Sequence, residues 1–364
     1  MNKIKLLKFS DGIIGRAFVF LLPRIKRPDK DNPKNSKKIL LIRPGGIGDA
    51  VLLLPAVDAL KSRFPDSDID VLCEKRNAEI FRLSDVIDNI YLYDRGLDLF
   101  RCLRNNYDVV IDTEQWHRLS AVVAYLSGAP VRIGFDTNER AKLFTHRIPY
   151  SHEDYEVYSF LHLIEPLIDR SYDFKGDEPF INIKNDVPSY LQNELKNKDK
   201  VIAIFPGASA MERRWGGDKF GEAAKILSDK GYDIIILGSD ADRADAERIK
   251  KYAGNCVDLT GRTNLRDIAA VLKKSRLLIT ADSGLMHIAF AVGTPTVSLF
   301  GSGIEKKWAP RGENHIVLNK HLDCSPCTKF GYTPCCKRNV ECLSLISVED
   351  VVVAAKTILN LESN

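Results

Sequence analysis

The apolar residues of this chain gather into short unbroken runs. They form neither a strict alternation nor a heptad. Ile39-Leu40-Leu41-Ile42 is the first such run, the pattern of a parallel strand buried on both faces. A glycine-rich turn follows, then apolar positions at helical spacing to about Phe64. Further strands are predicted at 69–73, 87–92, 109–112 and 131–134, with helical segments between them and a helix over 153–170. A polar stretch at 182–200 interrupts the series. Strands then resume at 201–205, 234–237, 257–259, 277–280 and 296–300, with helices from about 218, near 241–252, and over 265–274 and 284–292. Two successive βα arrays predict an α/β protein of two Rossmann-like, doubly wound domains facing a central cleft. The expected divisions are an arm at 1–37 and domains at 38–185 and 186–364. Ligands of such sheets bind at the carboxyl ends of strands, so the loops there carry the chemistry.

Composition agrees. The 364 residues are 45% hydrophobic and 28% charged, enough for two cores and too apolar for a disordered chain. The net charge of +4 conceals an asymmetry: residues 1–38 hold eleven Lys or Arg against three Asp, which leaves the other 326 residues at −4. A basic arm on a mildly acidic body disfavours a nucleic-acid-coating protein. The arm carries an apolar run from Ile13 to Leu22, interrupted by Gly15 and Arg16. It is too short for a hydrocarbon layer that needs about 20 residues, and no small-residue cleavage site follows it. Two readings stand. It is an interfacial helix on anionic lipid, with Lys3, Lys5, Lys8, Arg24, Lys26 and Arg27 near the headgroups, or a helix packed on the body. The expected location is cytoplasmic, and on the first reading peripheral at the inner face of the cytoplasmic membrane.

Four loops have chemical content. Arg43-Pro44-Gly45-Gly46-Ile47-Gly48-Asp49 joins a buried strand to a helix. It lacks the G-x-G-x-x-G of a dinucleotide site and the Gly-Lys-Ser/Thr of a P-loop, and an Asp in a phosphate cradle would repel phosphate. Asp49 is therefore read as a base or hydroxyl acceptor, or as an ordinary first-turn Asp. Pro206-Gly207-Ala208-Ser209 leads to Arg213-Arg214-Trp215, where two guanidinium forks suit phosphate oxygens. Asp282-Ser283-Gly284 opens a helix that carries His287, and its first amides suit a diphosphate. Asp242, past another strand end, is a candidate for ribose hydroxyls or a helix cap.

The eight cysteines divide unequally. Cys73, Cys102 and Cys256 read as small buried hydrophobes. Cys324, Cys327, Cys335, Cys336 and Cys342 crowd into the 324–342 segment as C-x2-C-x7-C-C-x5-C. Four thiolates at such spacings would suit a structural zinc, but the spacing departs from common zinc ribbons. The preferred reading has no metal, with zinc as the alternative.

These loops, in this order, resemble the heptosyltransferases of glycosyltransferase family 9. The resemblance runs from about Lys38 to the C-terminus and rests on GGIGDAVLLLPAVDAL, PGAS…RRW and TADSGLMHIAFAVGTPTVSLFG, with SGAPVRIGFD and ISVEDVV in support. It implies a GT-B fold and inverting, metal-independent transfer from an ADP-activated heptose to a lipid-linked core oligosaccharide of lipopolysaccharide. By position it implies Asp49 as general base, with Gly46 and Gly48 beside it on the acceptor side. Ser209, Arg213, Arg214, Asp282, Ser283, Gly284 and His287 would bind the donor. Arg213 stands where the family usually has Lys, and Asp242 where a ribose-binding Glu is typical. Arg132, with Arg140, Arg147, Lys75 and Arg76, is a candidate for an anionic acceptor. A GT-B transferase of another nucleotide sugar and a nucleotide-binding protein without turnover remain alternatives. The missing fingerprint disfavours an NAD enzyme.

Overall fold

The computed structural model describes residues 11–25, 36–168, 172, 174–176, 178–183, 187–196 and 198–360. Within it the chain divides into two compact units, Met1–Phe174 and Lys175–Asn364. The division precedes the polar stretch. Phe180 N and Ile181 N both donate to Ala291 O, and Lys273 Nζ donates to Ile183 O, which ties this segment to the second unit.

The first unit is a six-stranded, all-parallel sheet in the order β3-β2-β1-β4-β5-β6. The strands are β1 (Lys38–Arg43), β2 (Asp68–Cys73), β3 (Asn89–Leu92), β4 (Val109–Asp112), β5 (Val131–Phe135) and β6 (His146–Ile148). This is the nucleotide-fold order 3-2-1-4-5-6, whose switch point lies between β1 and β4. Its principal helices are α2 (Ile47–Arg63), α3 (Gly96–Leu103), α4 (Leu119–Leu126) and α5 (Glu156–Ile164). Asp49 stands in the first turn of α2 and Lys61 and Arg63 in the last, each at the end its charge prefers.

The second unit repeats the plan. Its strands are β7 (Val201–Phe205), β8 (Asp233–Ile236), β9 (Val257–Asp258), β10 (Leu277–Ala281), β11 (Thr296–Phe300) and β12 (His315–Asn319). They pair in parallel as β12-β11-β10-β7-β8-β9. This is the same order, with the switch point between β7 and β10. Helices α6 (Gly217–Asp229), α7 (Arg243–Ala253), α8 (Leu265–Lys274), α9 (Gly284–Ala291) and α10 (Val348–Ile358) flank the sheet. Asn264 and Ser347 begin α8 and α10 with capping boxes, each satisfying two amides that a helix start leaves open.

The described part of the arm, 11–25, packs on the first unit. It forms a π-helical turn (Asp11–Gly15) and then α1 (Arg16–Leu21). Asp11 is 4% exposed and accepts hydrogen bonds from Arg118 N and Leu119 N, capping the start of α4. Val19 is buried in the cluster beneath α3 and α4, and Ile25 N donates to Lys142 O. The packed-helix reading therefore describes the inner side of the arm. Its outer side keeps Ile13, Ile14, Phe18, Phe20 and Leu21 exposed. Arg24 is exposed as well, whereas Lys3, Lys5, Lys8, Lys26 and Arg27 lie outside the described residues. No described helix is long and apolar enough to cross a membrane.

Candidate functional site

At the first switch point β1 ends in Arg43, and the turn Pro44-Gly45-Gly46 delivers the chain to α2. Gly45 takes φ +102°, a conformation that glycine adopts without strain. The turn places Asp49 beside a buried guanidinium. Arg43 is 2% exposed and its Nη2 lies 3.6 Å from Asp49 Oδ2. The rest of the fork is anchored: Nε donates to Pro44 O at 2.9 Å and Nη1 to Thr113 O at 2.7 Å. Nη2 also reaches Glu114 Oε2 and Gln115 Oε1, and the guanidinium stands over the Phe160 ring.

A second row of buried groups supports the first. Gln115 Nε2 donates to Glu156, which also accepts from Tyr150. Arg140, fully buried, pairs with Asp112 and donates to Glu114 O. Burial would raise the pKa of Glu114, but Arg43, His117 and Arg140 hold it below the usual range. Burial would likewise weaken the charge on Arg43, and the carboxylates of Asp49, Glu114, Glu156 and Asp112 reverse this. The result is a fixed ionic platform in which the Asp49 carboxylate, with 26% of its side chain exposed, reaches toward solvent while Arg43 and Glu114 stay buried.

The acceptor candidates scatter. Gly46 and Gly48 lead into Asp49 at the start of α2. Arg76 borders Gly45 and pairs with Glu74, and Lys75 is exposed beside it. Arg140 belongs to the buried platform, which corrects its reading as a contact for an incoming anion. Arg132 is brought elsewhere: it pairs in register with Val110 near the start of its strand and stacks on Tyr125. Arg147 sits on β6, half-buried.

At the second switch point β7 runs into the Pro206–Trp215 loop and β10 into Asp282. Arg213 Nη1 lies 3.0 Å from Asp282 Oδ2, and Nη2 donates to Thr328 and Thr333. Arg214 pairs with Asp242 at 2.9 Å and Asp245 at 3.1 Å. The buried Nε of both arginines has no hydrogen-bond partner. Ser209 is exposed in the loop. Ser283 caps α9 by accepting from Met286 N, and Gly284 opens the helix. His287, on the next turn, is fully buried. Burial, reinforced by Arg213 and opposed by Asp282, pushes its pKa down to about 4, so it is neutral at pH 7. Gly303 leaves no room for a side chain, because a Cβ there would collide with Asp282.

Asp242 is placed differently from an open ribose acceptor. It is 4% exposed, one oxygen accepts from Arg214, and the other closes a capping box with Ser239. The box commits Oδ2, which leaves Oδ1, shared with Arg214, as the oxygen with capacity for a further donor.

All five clustered cysteines line one cavity as free thiols, with Cys342 buried and Cys324 and Cys335 exposed. Cys336 Sγ accepts from Arg338 N and Val340 N. Among the described residues no group of three or more His, Cys, Asp or Glu is arranged to hold a metal ion. The segment bears on the site through Thr328 and Thr333, which touch Arg213. Cys73 and Cys102 are buried as expected, while Cys256 is half-buried.

Sequence reasoning missed Arg43, Glu114 and Gln115 as site residues, together with Gly303, Thr328 and Thr333. Only Arg43 leaves a trace in the sequence: a charged residue directly after the apolar run Ile39–Ile42, at the carboxyl end of its strand.

The model described as glycosyltransferase family 9 (heptosyltransferase) matches residues 97–334. Lipopolysaccharide heptosyltransferase 3 of Escherichia coli K12 is 30% identical over 339 residues, covering 86% of this chain and 95% of that protein. The glycosyl transferase family 9 structure from Veillonella parvula DSM 2008 superposes with a TM-score of 0.76 at 22% identity, covering 91% of this chain and all of that one. The E. coli ADP-heptose lps heptosyltransferase II gives 0.72 at 22% identity, covering 89% and 98%.

Proposed function

The chain belongs to glycosyltransferase family 9, the heptosyltransferases, and we propose that it moves a heptose from ADP-heptose to a lipopolysaccharide core acceptor. Transfer proceeds with inversion and without a metal ion. One observation carries the reading most directly. At the second switch point the buried Nε–H groups of Arg213 and Arg214 lack partners, and Arg213 is held at Asp282, just before the opening turn of α9. Unsatisfied buried donors at a helix start are the condition that a diphosphate relieves.

In this mechanism the acceptor hydroxyl oxygen attacks the anomeric carbon as the bond from that carbon to the diphosphate oxygen breaks. The hydroxyl is a poor nucleophile at pH 7, so its proton passes to the Asp49 carboxylate during attack. ADP departs with growing negative charge. Arg213, Arg214, Ser209 and the amides at Ser283 and Gly284 stabilise that charge in place of a divalent ion. Asp282 orients Arg213, and the buried, neutral His287 adds no further cation. Gly46 and Gly48 let the acceptor approach Asp49, and Arg76 offers a cation at the edge of that loop.

A lipid-linked acceptor gives the basic arm a role: it brings the enzyme to the anionic inner face of the cytoplasmic membrane. The donor assignment is tested by melting the protein with ADP, UDP, GDP or NAD. Selective stabilisation by ADP is expected. Stabilisation by UDP or GDP alone would contradict it.

A further inference from the structure

The first unit displays its exposed apolar side chains on one face. Right-handed crossovers in the order 3-2-1-4-5-6 send the chain from β1 toward β3 on one side of the sheet and from β3 toward β6 on the other. The second side carries α3 and α4. The arm lies there too, since Val19 and Leu22 join the cluster that holds Leu99 and Cys102 of α3 and Ala121 of α4. Among the described residues of this unit, every large exposed hydrophobic belongs to that side. The arm supplies five, α3 supplies Leu97 (72%) and Phe100 (64%), and α4 supplies Leu126 (57%). The helices of the opposite face supply none.

Helix α3 is built for two surroundings. Leu99 and Cys102 turn inward, while Leu97, Phe100, Arg101 and Arg104 follow one another at helical spacing on the outside. Arg95 and Arg104 are exposed at its two ends, and Arg101 is exposed beside Asp98. The arm repeats this chemistry, with Phe18, Phe20 and Leu21 between Arg16 and Arg24. Large apolar side chains set among arginines on several elements match an interface in which each side chain sinks into acyl chains while guanidinium groups meet phosphates.

We infer that the whole α3–α4–arm face, rather than the arm alone, is a docking surface for an anionic lipid bilayer. The inference extends the membrane contact proposed above, but its readout needs neither donor nor acceptor, so it stands or falls apart from the transferase reading.

The test is flotation of the full chain with vesicles of phosphatidylethanolamine and phosphatidylglycerol, against phosphatidylcholine alone. The wild type is expected to bind the anionic vesicles at least tenfold more tightly, and less tightly as salt rises. The double substitution Leu97→Ser/Phe100→Ser is expected to lower that binding at least tenfold with an unchanged melting temperature. Arg95→Glu/Arg104→Glu, which leaves the apolar residues intact, is expected to do the same. If both variants bind like the wild type while removal of the arm abolishes binding, the arm alone is the contact and the inference fails. If the wild type binds neither vesicle, both membrane readings fail. If it forms a dimer without lipid that Leu97→Ser/Phe100→Ser disperses, a second copy covers the face and the lipid assignment is overturned.

Discussion

Arg43 is 2% exposed, and each nitrogen of its guanidinium faces a carbonyl, an amide oxygen or a carboxylate. Removing such a cation leaves Glu114 charged and buried, which costs about 3–5 kcal/mol in comparable sites. Arg43→Met is therefore expected to lower stability by that order in urea denaturation and to abolish transfer. Arg43→Lys keeps the charge but loses the fork, so it is expected to recover stability more fully than turnover. Equal recovery of the two would contradict a role in aiming Asp49. His287 makes a different prediction. Its pKa falls from 6.5 unfolded to about 4 folded, so between those values the unfolded chain binds the extra proton. The contribution of the neutral imidazole is complete above pH 6.5 and is lost as pH drops toward 4, by about 3 kcal/mol in all. His287→Gln is expected to flatten the acid limb of the stability profile, and an unchanged slope would contradict the buried, neutral placement.

Most strands legible in the sequence were those buried on both faces, because a parallel sheet covered by helices demands continuous apolar runs, although the half-exposed edge strands β3 and β9 were legible too. The two that escaped, β6 and β12, are edge strands with half-buried side chains throughout, β6 only three residues long and β12 with just three apolar residues between His315 and Asn319. The loops that carry the site were legible for a related reason: glycine, proline and charge stand out against apolar strands. Their supports were not. Glu114 and Gln115 reach Arg43 across about seventy residues, and Thr328 reaches Arg213 across 115, distances over which no local pattern speaks. Gly303 is the sharpest case among the elements, since its reason lies in the neighbouring strand's Asp282. Gly303→Ala is expected to displace that carboxylate and Arg213 with it, weakening ADP binding at least tenfold in calorimetric titration. Unaltered affinity would separate Asp282 from the donor site.

Across the whole molecule, two units with one strand order place a chemical group at each switch point: a carboxylate on a buried ionic platform in the first, arginines beside a helix start in the second. The arm belongs to the first unit structurally. Its Asp11 caps α4, and Val19 fills the cluster below. Deleting residues 1–25 removes a cap worth about 0.5–2 kcal/mol and a buried side chain worth about 1.5–3 kcal/mol. The truncated protein is expected to melt several degrees lower in scanning calorimetry, and an unchanged transition would contradict the packing. The most direct test of the transferase account compares wild type with Asp49→Asn, following heptose transfer from ADP-heptose to a truncated core acceptor alongside ADP affinity. The account predicts that transfer falls by at least about a thousandfold while ADP binds as before. Near-wild-type transfer by Asp49→Asn would contradict it.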